Sequence, residues 1–111
     1  MATRKSPSIT TLKALFSKSG NTCSFPNCKN RLFTEDNIFI GQVCHIEAYS
    51  NDGPRFNVLT TEDEKNSYDN LILMCYEHHR RIDSNIDYTA EILKKYKQRH
   101  ESKLESIQFE I

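Results

Sequence analysis

Asn70-Leu71-Ile72-Leu73-Met74-Cys75-Tyr76-Glu77-His78-His79 is the stretch on which the reading of this chain turns. An apolar run ends in a thiol, and two imidazoles follow within one helical turn. A turn leading into a short helix over Tyr76 to Asp83 accounts for the pattern, and Cys75-x2-His78 then offers two metal-type ligands at close range. Upstream, Ile38, Phe39, Ile40 and Val43 form a β-prone run that ends at Cys44-His45-Ile46, and Ala48 and Tyr49 are expected to continue a second strand after a bend. Between the two segments, residues 50–67 are polar and turn-rich, opening with Asn51-Asp52-Gly53-Pro54-Arg55. They predict a long surface loop, the kind of segment that carries function in a small domain.

Further upstream stands Cys23-Ser24-Phe25-Pro26-Asn27-Cys28, in which Pro26 and Asn27 supply turn chemistry and bring two thiols together. With Cys75 and His78 this makes two short-spaced ligand pairs, the pattern of a closed tetrahedral zinc site with thiolate and imidazole ligands and no position for water. Such a site is structural. A hydrolase working through the knuckle ion is excluded because four protein ligands fill its shell. Cys44 is a fifth candidate, either replacing His78 around the zinc or remaining a packed thiol, and spacing does not choose between the two.

The flanks read as helices. Ile9, Leu12, Leu15 and Phe16 form a 3.6-period stripe that opens after Ser8 and closes at Gly20, which predicts an N-terminal helix over about 8–19. Residues 89–106 predict a long C-terminal helix with Ile92, Leu93, Tyr96 and Leu104 on one face. One domain spanning 1–111, with its core in 20–85, fits the length. The hydrophobic fraction of 37% is low enough for a metal staple to matter. No signal-peptide pattern opens the chain and no run approaches the roughly 20 apolar residues of a membrane span, so a soluble, cytoplasmic protein is expected, where thiols serve as metal ligands more often than as disulfides. A net charge of zero argues against a general nucleic-acid coat, yet Lys and Arg cluster at Arg4 and Lys5, Lys29 and Arg31, Arg80 and Arg81, and Lys94 to Lys103, which leaves room for a basic face.

The order Cys23-x4-Cys28, Cys44-His45-Ile46, Asn70 to Cys75, His78-His79 resembles the HNH endonuclease family over Cys23 to Asp83. The resemblance implies an α+β fold: a small ββα-metal core, also called a His-Me finger, with a structural zinc knuckle, flanked here by the two helices. It implies His45 as general base, a role suited to a group that titrates near neutrality. Asn70 would hold the loop and hairpin that aim the base, and His79 would bind a catalytic Mg2+ or Mn2+. Many relatives have an Asp before the base; here Cys44 occupies that place and suits magnesium poorly. Asp83, four residues after His79 and so on the same helical face, is the expected oxygen ligand. The Gly53-Pro54-Arg55 loop is similar to one in HNH domains of bacterial anti-phage effectors such as HNH-SAVED proteins, which implies a phosphate contact for Arg55. Arg80 and Arg81 are further candidates for the phosphates of double-stranded DNA. In that subset a sensor domain or self-association activates the nuclease, and a helix ending in Phe109-Glu110-Ile111 could run on into such a domain. The alternative is a non-catalytic zinc module, derived from the same fold, that binds nucleic acid or protein.

Overall fold

The computed structural model describes residues 5–109; Arg4, in the first basic cluster, and Glu110-Ile111, at the expected run-on, lie outside them. Helix α1 spans Ile9–Ser19. The Ser8 side chain accepts the Thr11 amide at its start, and Gly20 closes it in the left-handed conformation at φ 61°. A Cβ at Gly20 would come within 2.8 Å of Leu104, so glycine answers both to the turn and to the helix packed on it.

Strand β1 (Gly41–His45) pairs antiparallel with β2 (Leu71–Cys75), in a register that sets Gly41 opposite Cys75 and His45 opposite Leu71. The second strand is therefore Leu71–Cys75 and not Ala48 and Tyr49, and the apolar run before the two histidines is itself strand. Every residue of β2 is buried, with α1 and α3 (Tyr76–Ser84) packed against it. A strand covered on both faces loses the alternation that marks a half-exposed one. The run before β1 is also corrected. Phe39 turns inward onto Phe16 and Phe33, but Ile38 and Ile40 are more than half exposed and stand outside the strand.

The expected loop over 50–67 holds a four-residue helix, α2 (Glu62–Lys65), opened by a capping box between Thr61 and Glu64. A 3-10 turn, Tyr68–Asn70, then delivers the chain into β2. Helix α4 runs Ala90–Phe109. It buries Leu93 fully and clamps the 3-10 turn: Tyr68 donates to Glu101, and the Lys97 ammonium sits 3.5 Å from the Tyr68 ring centre and 3.2 Å from Glu101. His100, half-buried, lies with Nε2 2.8 Å from the Ser19 carbonyl and so ties α4 to the end of α1. No described helix is long and apolar enough to cross a membrane.

Candidate active site and metal centre

Cys23, Cys28, Cys75 and His78 bring one ligand atom each to within 4.8 Å of one another, and among the described residues this is the only group of three or more metal-type side chains so gathered. One turn and one strand–helix junction assemble it. The Cys23–Cys28 turn, with Asn27 at φ 65°, supplies one pair; the junction of β2 and α3 supplies the other. The His78 Nδ1 stands 3.2 Å from the Cys75 sulfur and 3.7 Å from that of Cys23, and its ring stacks on Phe25 at 3.9 Å with the planes 2° apart. Burial, followed by the charge of nearby Arg81, holds the His78 imidazole below its ordinary pKa, so it favours the neutral form that binds metal. Burial pushes the Cys23 thiol up to about 12. Burial acts on Cys75 too, but hydrogen bonds from Asn30 and His78 outweigh it and lower its pKa. Three thiols and an imidazole at these distances fit zinc in a closed tetrahedral shell, which would supply folding free energy and leave no open position.

Cys44 is outside this group. Its side chain is buried, with the sulfur 3.1 Å from Nδ1 of His79. Burial, with the nearby Asp83 charge, pushes its pKa far up, so the group is a neutral packed thiol. On that same His79 nitrogen stands one oxygen of Asp83 at 3.6 Å, and the other Asp83 oxygen pairs with Arg55 at 2.9 Å. One oxygen of the expected ligand is thus held by Arg55, and the other lies beside His79 beyond hydrogen-bond distance. Nε2 of His79 has no partner among the described residues.

Arg55 points inward. Its guanidinium donates to the carbonyls of Ile46 and Ile82 and lies 3.5 Å from that of His45, besides pairing with Asp83, and its side chain is only 10% exposed. The sequence reading sent it to a phosphate; the structure employs its donors within the protein, where they tie the end of β1 to the end of α3. The backbone accepts φ 59° at Arg55, and Gly53 precedes it because a Cβ there would meet that of Ala48 at 2.6 Å.

His45 stands half-buried at the end of β1, its Nε2 2.9 Å from Oδ1 of Asn66 and its ring edge-on to Tyr49. Asn70 is buried and acts on the turn that follows. Its Oδ1 accepts from the Glu47 amide at 2.8 Å, its Nδ2 donates to the carbonyls of Glu47 at 3.0 Å and Lys65 at 2.8 Å, and its own carbonyl accepts from Ile46. One side chain therefore fixes the chain just after the His45 position to the α2 loop. Asn70→Ala is expected to lower stability by about 3 kcal/mol, as several buried groups lose partners, and denaturant unfolding measures it. Arg80 and Arg81 lie exposed on α3, Arg81 pairing with Glu77 at 3.3 Å. Asn66 and the inward role of Arg55 escaped the sequence reading. The one available signal was Asn66 beside a capping box, which would have marked a structured turn in a segment read as loop.

The fold and site thus define a two-stranded sheet with a following helix and a Cys3His metal-type cluster. The sequence model of the HNH endonuclease family matches residues 21–86, more than half of the chain, and the chain belongs to that family. No curated protein matches it closely enough to be read as a relative.

Proposed function

We propose that this chain hydrolyses DNA phosphodiester bonds with little sequence preference, using His45 as the general base. The observation that carries this reading is the junction of β1, the 3-10 turn and α3. There lie His45, Asn70 and His79, the three residues that the resemblance assigns to the reaction, and Asn70 pins the turn behind the proposed base. His45 takes a proton from a water, the water oxygen forms a bond to phosphorus, and the bond from phosphorus to the 3′ oxygen breaks. A divalent ion such as Mg2+ or Mn2+, when bound, would stabilise charge on the phosphate and on the leaving oxygen. His79 would hold that ion through Nε2. Asp83, 3.6 Å from Nδ1, would favour a proton there on closing to hydrogen-bond distance, as in the carboxylate–histidine pairs common beside metal ligands. With one imidazole and, among the described residues, no clustered carboxylates, the site fits an ion held weakly by the free protein.

The reading as DNA nuclease draws support from a groove of about 380 Å³ between the zinc-type turn and α4. Phe25, Lys29, Tyr96, Arg99 and Lys103 line it, with no acidic residue among its walls. Lys29, Arg99 and Lys103 have no carboxylate partner among the described residues. Arg81 stands over the Phe25 ring at 5.7 Å and links the groove to α3. We read this as the path of a phosphate backbone, with Arg80 and Arg81 nearer the cut. Replacing Lys29, Arg99 and Lys103 together by alanine is expected to reduce the slope of log affinity against log salt by about 2–3, close to one unit per lost phosphate contact. Binding to a labelled duplex in chelator, at several salt concentrations, measures it; an unchanged slope would remove the groove from the interface.

The Gly53-Pro54-Arg55 loop supports a narrower reading, as the effector nuclease of a bacterial anti-phage system activated by clustering. Its test is supercoiled-plasmid nicking over a range of protein concentrations with magnesium, manganese or chelator. Cutting that rises faster than linearly with concentration supports activation by association, and a linear rise counts against it. A tightly held zinc with no nicking under any condition would turn the conclusion to the non-catalytic zinc module.

A further inference from the structure

We propose that Asn66 is a positioning residue that holds His45 as its Nε2–H tautomer and leaves Nδ1 as the basic atom, and that the backbone carbonyl of Lys5 sets the direction of the Asn66 amide. The inference rests on the reading of His45 as general base. Asn66 is 9% exposed, and its side chain spans two partners. One end lies 3.0 Å from the Lys5 carbonyl, the other 2.9 Å from His45 Nε2. A carbonyl only accepts, so the end facing Lys5 is the NH2 group and the end facing His45 is the oxygen. An amide oxygen also only accepts, so Nε2 carries the hydrogen. A neutral imidazole has a single N–H, which leaves the lone pair on Nδ1. Turning the amide over would face two carbonyl oxygens at 3.0 Å. Nδ1 has no hydrogen-bond partner among the described residues, as a base awaiting a water requires.

Lys5 is itself fastened. Its amide donates to the Tyr49 hydroxyl at 3.2 Å, its ammonium stands 3.5 Å from Asp63, and the Tyr49 ring meets the His45 ring edge-on at 6.0 Å. The segment ahead of α1 is thus a strap that closes a ring through Asn66, His45 and Tyr49. A backbone carbonyl leaves no mark in the side-chain pattern of a sequence.

The experiment is 15N NMR of the imidazole nitrogens in the full chain, run beside plasmid nicking and zinc analysis, for wild type, Asn66→Leu, Asn66→Asp and a variant lacking residues 2–6. Wild type should show a protonated Nε2 and an unprotonated Nδ1 for His45. Asn66→Leu should lose this single-tautomer pattern and cut slower by on the order of 10–100-fold, the loss seen when an outer-shell partner is removed, with zinc content intact. Asn66→Asp keeps an acceptor oxygen toward Nε2 but sets its second oxygen against the Lys5 carbonyl, so it should restore Nε2 protonation only in part. The deletion, which retains the Ser8 cap of α1, should blur the pattern and slow cutting less. A protonated Nδ1 in wild type, or an Asn66→Leu protein with the wild-type pattern, would overturn the proposal. The pattern as described in a protein that never cuts would support the clamp while removing the nuclease reading.

Discussion

Replacing His45 by alanine is expected to lower plasmid nicking by on the order of 10²–10⁴-fold, the usual contribution of a positioned general base. Zinc content and unfolding midpoint should stay close to wild type. The reason for the separation is local. His45 is the last residue of β1, its backbone register is set by pairing with Leu71, and its side chain touches Asn66 and Tyr49 without entering the buried cluster of β2, α1 and α3. Removing the imidazole therefore takes away the base and leaves the hairpin. Nicking, metal content and thermal melting of the same preparation measure all three. Cutting by His45→Ala at the wild-type rate would move the base elsewhere, whereas loss of cutting together with loss of zinc would mark His45 as structural.

The second large effect concerns the Cys3His cluster. Structural zinc in small domains contributes an apparent 10–16 kcal/mol near neutral pH, about as much as the whole stability of an ordinary domain. Cys75→Ser, or a strong chelator, is therefore expected to unfold the chain. Cys75 is the last residue of β2 and the N-cap of α3, so losing the ion frees the helix that carries His79 and Asp83 from the strand it follows. Far-ultraviolet circular dichroism with and without chelator measures this, and a folded, zinc-free protein would contradict it. Acid should act in the same direction. His78 has a folded pKa below its ordinary value of about 6.5, so the folded state binds fewer protons there than the unfolded one. Its contribution is present above that pH and is lost as pH falls through the folded pKa, with zinc release by protonation of the ligands adding to the loss. Melting temperature against pH should decline below about 6.5.

Much of this architecture could be read from residues alone because its signals are local. Ser8 and Gly20 bound α1 by cap chemistry, and Cys23-x4-Cys28 with Cys75-x2-His78 names a metal cluster by spacing. The strand pairing was not legible in the same way. Leu71 to Met74 is apolar at every position, and a short run of that kind reads equally as strand or helix until its partner is known. Ala48 looked like a strand residue by type, but Gly53 and Pro54 fold back onto it. Arg55 and Asn66 escaped for a third reason. Their roles rest on hydrogen bonds to the carbonyls of Ile46, Ile82 and Lys5, and neither the period nor the composition of a sequence records which carbonyl a side chain will meet.

His78 and His79 are neighbours on one helix, and they face different sites: the first joins Cys23 and Cys75, the second Cys44 and Asp83. Successive residues of an α-helix are turned by about 100°, so inserting or deleting one residue between Cys75 and His78 would swing both imidazoles away from their sites at once. The exposed positions Tyr76 and Glu77 can change identity freely on this ground. The number of residues cannot. Among descendants of this chain, substitutions should accumulate at Tyr76 and Glu77 while the spacing from Cys75 to His78 stays constant, because any drift in length would cost the staple and the candidate active site together.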